Sequence, residues 1–267
     1  MIEQSRPLAL VTGASSGIGV ALARELARDG FDLVLVARRV APMEALAAEL
    51  GTSGARARII PCDLVQPTAV AELVAALASS PLDVVINNAG VGYSVPFAAA
   101  DEARLQALVQ LNVVATTALA RGLLPRMIER GRGRMMFVAS LGAYLPGPGA
   151  AAYHASKAYV LSLGEAIAYE LRGTGVTATV LCPGPTTTGY WEGADATHAR
   201  LGKGSLTIPV MRAEEVARIG YRAMTKGRPV VVAGRRNAFS ALTLPLVPRR
   251  LVLAMSARLN TDQKDAR

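Results

Sequence analysis

Leu8-Ala-Leu-Val-Thr12-Gly13-Ala-Ser15-Ser16-Gly17-Ile18-Gly19 decides the fold of this chain. Leu8–Val11 is a short apolar run of strand length, and glycines punctuate the turn that follows it. From Ile18 to Asp29 apolar residues recur at helical spacing. Glycine permits the tight turn and lets a backbone approach a phosphate closely. The helix behind it offers free N–H groups and the positive end of a dipole. The spacing is G-x-x-x-G-x-G, and the strand–turn–helix context is the one a dinucleotide site requires.

The same alternation runs outward along the chain. Asp32–Ala37, Arg58–Cys62, Val84–Asn87, Arg134–Ala139, Thr177–Cys182 and Val230–Ala233 are further apolar runs of strand length. Pro42–Glu49, Pro67–Ala78, Asp101–Arg130, Ala151–Leu171 and Ala213–Thr225 read as helices. Strands alternating with helices predict an α/β fold, a Rossmann-type doubly wound parallel sheet with helices on both faces. With Leu8–Val11, the strands number seven. No repeat or linker divides residues 1–267, so one domain is expected. Pro183–Pro209 is too long and aperiodic for a plain connection, and such a stretch reads as a substrate loop or lid. Residues 239–267 form a C-terminal extension, and its Phe239–Leu259 portion is apolar and broken by Pro245 and Pro248.

Composition sets the limits. Of 267 residues 51% are hydrophobic and only 4% aromatic, so the core is built from Ala, Val, Leu and Ile. The net charge of +9 suits an anionic cofactor, nucleic acid or an anionic membrane surface. No basic run with interleaved aromatics is present, which argues against nucleic acid. Cys62 and Cys182 lie at the ends of apolar runs without a CxxC, and His154 and His198 are too few for a metal site. The N-terminus runs directly into the first strand, and no stretch reaches the ~18 uninterrupted apolar residues of a membrane span. A cytoplasmic location is expected.

About 20 residues beyond the glycine turn, NAD sites place an acid on the adenosine ribose. Here the second strand ends Val36-Ala37-Arg38-Arg39. Two guanidiniums stand where a 2′-phosphate would lie, and arginine matches phosphate bidentately. The cofactor expected is NADP(H) rather than NAD(H).

Tyr153-His-Ala-Ser-Lys157 places a phenol and an ammonium four residues apart, on one face of a helix. A cation within about 4–6 Å favours a phenolate, so Tyr153 can exchange protons as a general acid or base. Tyr159 lacks such a partner, because position 163 is Leu. Ser140 ends an apolar strand, where it can orient a carbonyl. Asn112 sits within a predicted helix, an unfavourable place for Asn.

In order and separation these pieces resemble the classical short-chain dehydrogenases/reductases, over nearly the whole chain. The matching residues are Thr12–Gly19, Asp63-Leu64, Asn87-Asn88-Ala89-Gly90, Asn112, Ser140, Tyr153-x-x-x-Lys157 and Pro183-Gly184. Within that family the chain looks closest to the branch of 3-ketoacyl reductases and hydroxysteroid dehydrogenases. The resemblance implies that Gly13, Gly17 and Gly19 form the pyrophosphate turn, with Ser15, Ser16 and Ile18 beside them. It implies adenine contacts from Asp63 and Leu64, and a ribose wall of Asn88, Ala89 and Gly90. Pro183, Gly184, Thr186 and Thr188 would lie at the nicotinamide. The implied catalytic group is Asn112, Ser140, Tyr153 and Lys157. Tyr153 would protonate the developing alkoxide, Ser140 would bind it, Lys157 would hold the nicotinamide ribose, and Asn112 would hold a water linking Lys157 to solvent.

Leu141-Gly-Ala-Tyr-Leu-Pro146, Val91-Gly-Tyr93 and Gly189-Tyr-Trp191 are apolar stretches suited to a pocket wall. They favour an uncharged, lipophilic ketone or secondary alcohol. Two other functions are weighed: the intact tetrad argues against a catalytically silent dinucleotide-binding sensor or scaffold, and Arg38 and Arg39 without an acid argue against an enzyme oxidising a secondary alcohol with NAD. The tail, with Arg249, Arg250 and Arg258, has three open roles: packing on the body or a second subunit, walling a substrate channel, or lying on a membrane surface. Pairing of the two long helices between subunits, as in relatives of this fold, implies a homodimer or homotetramer.

Overall fold

The computed structural model describes residues 6–187 and 210–260. Seven parallel strands form one sheet in the order β3-β2-β1-β4-β5-β6-β9. They are β1 (Leu8–Thr12), β2 (Asp32–Ala37), β3 (Ala57–Pro61), β4 (Leu82–Asn87), β5 (Gly133–Val138), β6 (Val176–Cys182) and β9 (Val230–Val232). A separate parallel pair, β7 (Thr186–Thr187) with β8 (Met211–Arg212), ties together the two ends of the long connection. The rest of the expected loop, including Thr188 and Gly189-Tyr-Trp191, lies outside the described residues.

Alternation along each strand divides the core in two, because successive side chains point to opposite faces. Ala9, Val11, Leu33, Leu35, Val84, Ile86, Met136 and Val138 face one layer of helices. That layer holds α1 (Gly17–Arg28), α2 (Val40–Gly51) and α7 (Ala213–Thr225). Leu10, Val34, Val36, Val85, Met135 and Phe137 face the other. There lie α3 (Ala69–Ala76), α5 (Thr116–Glu129) and α6 (Ala151–Glu170). Leu22 and Leu26, one turn apart on α1, are fully buried, and truncating either to Ala costs about 2–5 kcal/mol.

The helix expected over Asp101–Arg130 is three pieces: α4 (Glu102–Val109), a π-helical segment Gln110–Ala115, and α5. By length and composition alone, the combined helix Glu102–Glu129 could cross a membrane. Here it packs on the sheet, burying Leu119, Leu123 and Met127 against the second layer. Beyond β9 the C-terminal segment is helical: α8 (Arg235–Thr243), a 3-10 turn Leu244–Leu246, and α9 (Arg249–Asn260). Pro245 and Pro248 fall in and after that 3-10 turn, where a missing N–H costs no ladder bond.

Candidate active site

Strand order reverses between β1 and β4, so the crevice at their C-terminal ends is the natural ligand position in this architecture. Thr12 closes that junction. Its Oγ1 donates to Ile86 O at 3.1 Å and accepts from the Asn88 and Ala89 amides, each at 3.0 Å. Asn88 Nδ2 donates to Thr12 O at 2.9 Å. Gly13 has φ +67°, and a Cβ there would lie 2.7 Å from Asn88 Nδ2. A Cβ on Gly19 would lie 2.3 Å from Gly13 O. No side chain can be added at either point without opening the turn.

Ser16 precedes α1 in extended conformation and its side chain makes no capping bond. The first amides of α1 are therefore not capped by Ser16, which suits an anion. Arg39 Nη2 donates to Ser15 O at 3.3 Å and Ser15 Oγ at 3.2 Å, laying one guanidinium against the glycine turn. Arg38 is exposed at the end of β2. Asp63 and Leu64 follow β3; the Asp63 carboxylate accepts from the Val65 amide at 3.3 Å, and the Leu64 side chain is buried in the core. Asn87, at the end of β4, buries an Nδ2 with no hydrogen-bond partner among the described residues. The tight glycine cradle, the uncapped helix end, the guanidinium and the orphan amide fit a dinucleotide bearing an extra phosphate.

At the other end of the crevice the elements that carry Asn112, Ser140, Tyr153 and Lys157 pack against one another. The π-helical segment explains how a helix carries Asn112. Such bulges rotate a side chain out of the regular ladder and frequently mark functional sites. The Asn112 amide makes three hydrogen bonds: Oδ1 accepts from Val91 N at 2.9 Å, and Nδ2 donates to Val91 O at 2.9 Å and to Ser156 Oγ at 3.0 Å. It joins the chain after β4 to α6. A Cβ on Gly90 would lie 3.1 Å from Asn112 Oδ1 and 3.2 Å from Lys157 Nζ, so these three residues meet at one point.

Lys157 is buried on α6 and donates to Val138 O at 2.9 Å. Burial pulls its pKa down to about 8, because a charge is costly away from water. The ammonium still predominates at neutral pH. A Cβ on Gly164, further along α6, would lie 2.4 Å from Val180 Cγ2, so glycine lets the helix sit this close to the sheet. Ser140 caps the 3-10 turn Leu141–Tyr144, its Oγ accepting from Gly142 N at 3.0 Å. That bond leaves the serine O–H available for donation to a substrate oxygen.

Tyr153 occupies the first turn of α6, edge-on to the His154 ring with centroids 5.8 Å apart. His154 was read from sequence only as a poor metal ligand. In the structure it organises the stretch after Ser140. Its Nδ1 lies 3.0 Å from Leu145 O, and since a carbonyl only accepts, Nδ1 carries the hydrogen. A Cβ on Gly142 would lie 3.2 Å from its Cε1, and one on Gly147 2.1 Å from its Cδ2. The imidazole is buried, and burial lowers its pKa.

Pro183 O accepts from Leu141 N at 2.6 Å, bringing the end of β6 beside the Ser140 turn. Thr186 is buried and its Oγ1 donates to Gly184 O at 2.9 Å. A Cβ on Gly184 would lie 2.4 Å from Asn237 Nδ2, so α8 closes on this corner. Cys182 beneath is buried, which pushes its thiol pKa up to about 12. Neither Asn237 nor the Val91 and Val138 carbonyls carry a signal legible in the sequence. Ser156 and His154 lay inside the Tyr–Lys motif without an assigned role.

Comparison with known proteins agrees with this geometry. The family described as short chain dehydrogenase matches residues 7–199. The chain is 36% identical over 225 residues to the 1-deoxy-11-beta-hydroxypentalenate dehydrogenase of Streptomyces exfoliatus, covering 82% of this chain and 80% of that one. A short-chain dehydrogenase from Sphingobium yanoikuyae, solved in complex with NADPH, superposes with TM-score 0.75 at 32% identity, over 90% of this chain and 94% of that one. The bulky-bulky ketone specific alcohol dehydrogenase of Comamonas testosteroni superposes with TM-score 0.77 at 29% identity, over 97% and 98%. With the family match spanning well over half its length, the glycine turn and the Tyr153–Lys157 helix included, this chain belongs to the short-chain dehydrogenases.

Proposed function

We propose that the protein reduces a lipophilic ketone with NADPH, reversibly, using Tyr153 as the general acid. The observation that carries this is the meeting of Gly90, Asn112 and Lys157 at one point, one helical turn from Tyr153. When bound, the dinucleotide supplies the hydride. Gly13, Ser15, Ser16, Gly17, Ile18 and Gly19 would hold its pyrophosphate, and Arg38 and Arg39 its 2′-phosphate. Asp63, Leu64, Asn88, Ala89 and Gly90 would line the adenosine side. Pro183, Gly184, Thr186 and Thr188 would lie toward the nicotinamide.

The remaining work falls to side chains of this chain. Ser140 donates to the ketone oxygen and stabilises the charge that develops there. Tyr153 gives that oxygen its proton. The Lys157 ammonium stabilises the phenolate left behind, and Asn112 keeps the backbone at Val91 and α6 in register. An apolar substrate is supported by Leu141, Ala143, Tyr144 and Leu145 beside Ser140. The ketone specificity named for the Comamonas testosteroni enzyme points the same way.

A homodimer or homotetramer formed through α4–α6 is part of the same proposal. Val109, Val114 and Tyr159 leave an apolar patch exposed on these helices. The C-terminal segment offers a separate surface for a peripheral membrane contact.

Substituting Tyr153 by Phe tests the assignment. NADPH affinity, read by cofactor fluorescence, should stay within about twofold, while turnover of a bulky ketone should fall by about 10²–10⁴, the usual worth of a positioned acid. Retained turnover would refute Tyr153 as the acid. Wild-type binding of NADPH with no turnover of any ketone would favour a silent sensor instead.

A further inference from the structure

The C-terminal segment, residues 234–267, carries six arginines and one lysine against two carboxylates, Asp262 and Asp265. Its structure sorts these residues by face. Asn237, Ala241, Val252, Ser256 and Asn260 are buried, and α8 packs against β9 and the Leu141–Tyr144 turn. The opposite side exposes large apolar side chains: Leu246 at 83%, Leu242 at 74% and Phe239 at 68%, with Leu251 and Met255 continuing along α9. Arg235, Arg249, Arg250 and Arg258 are exposed on the same segment. A surface of this kind is not needed to complete the core, because the buried residues already do so.

Two occupants suit an exposed apolar surface, and the charge separates them. A symmetric dimer places the same patch of both copies face to face. Here that would bring two strongly basic segments together, with only Asp262 and Asp265 in each to offset the arginines. An anionic bilayer supplies negative charge to Arg235, Arg249, Arg250 and Arg258 and a hydrocarbon boundary to Phe239, Leu242 and Leu246. The projecting side chains come from a helix, a 3-10 turn and a second helix.

We propose that α8 and α9 dock the protein on anionic phospholipid membranes. The apolar residues enter the acyl boundary and the arginines lie at the phosphates. α8 also packs against the Ser140 turn, and Asn237 meets Gly184. The docking face therefore adjoins the proposed ketone site, and a lipophilic substrate dissolved in the bilayer would enter from the docked side. Only this last step rests on the ketone assignment; the membrane contact itself does not.

Cosedimentation of the full-length protein with vesicles tests it, with no ketone present. Vesicles of 30% phosphatidylserine in phosphatidylcholine should pellet the protein at low salt, and pure phosphatidylcholine should leave it in the supernatant. Each arginine removed from Arg249 and Arg250 should weaken binding by about fivefold, and Leu242→Ser with Leu246→Ser should abolish it. These positions are exposed, so NADPH binding should survive and report folding. No pelleting at low salt, or equal pelleting with neutral vesicles, would overturn the proposal. So would sedimentation velocity showing that Leu242→Ser with Leu246→Ser converts a dimer to a monomer, which would assign the face to a second copy.

Discussion

Lys157 Nζ donates to the Val138 carbonyl at 2.9 Å, joining the middle of α6 to the last residue of β5. Two residues further along the chain stands Ser140. One buried ammonium thus fixes the distance between the helix that carries Tyr153 and the strand end that carries the serine. The cost is desolvation of a charge.

That cost makes stability depend on pH. The folded-state pKa of Lys157 is lowered to about 8, against about 10.4 unfolded. Above pH 8 the unfolded chain binds the extra proton, so stability rises with pH. Cys182 acts oppositely: its thiol is raised to about 12 when folded, so above about pH 8.5 unfolding releases a proton and stability falls. Without cofactor, the melting temperature should rise modestly just above pH 8 and then turn over. In Lys157→Met the rise should vanish; a rise that persists would show that another group causes it.

Arg39 lies against Ser15, whereas Arg38 is merely exposed at the strand end. If both read a 2′-phosphate, Arg39→Ala should weaken NADPH at least tenfold and NADH less than twofold, because a charged hydrogen bond is worth about 1.5–3 kcal/mol. Arg38→Ala should show the same bias with a smaller size. Isothermal titration with both dinucleotides settles it, and an equal loss for both would remove the arginines from phosphate recognition.

Asn112 satisfies both backbone groups of Val91 at once. Asn112→Ala leaves the part-buried N–H and C=O of Val91 unpaired, at about 1 kcal/mol each. Thermal unfolding should drop by several degrees and turnover should fall with it. Asn112→Asp keeps the acceptor for Val91 N and loses the donor, so it should be intermediate in stability. A fully stable Asn112→Ala would mean that this bridge is dispensable.

His154 supports the stretch from Gly142 to Gly147 from within. Its pKa is lowered by burial, so the unfolded chain takes up a proton before the folded one, and stability falls as pH drops below about 6.5. His154→Ala should open a void under this stretch, raising the KM for a bulky ketone several-fold while NADPH affinity holds. The acid sensitivity should diminish in the same variant. Unchanged steady-state constants across a ketone series would show that the loop keeps its shape without the imidazole.

The sequence by itself determined the sheet and the kinds of chemistry available. Seven short apolar runs alternating with helical patterns left one topology class, since each strand buried on both faces needs helices on both sides. The glycine turn, Arg38-Arg39 and Tyr153–Lys157 were legible because local spacing fixes their geometry. What tertiary structure decided were contacts between residues far apart in sequence. Asn112 meets Val91 and Ser156, and His154 fills the space beneath Gly142 and Gly147. Neither follows from periodicity, because backbone carbonyls carry no sequence signature and a π bulge shifts the face a helix presents. The tail was read as apolar with prolines, and only its folded anchors separated the buried face from the exposed one. Burial also turned Lys157 from an ordinary surface cation into a group that titrates near 8, an effect of desolvation that exists only once the chain has folded.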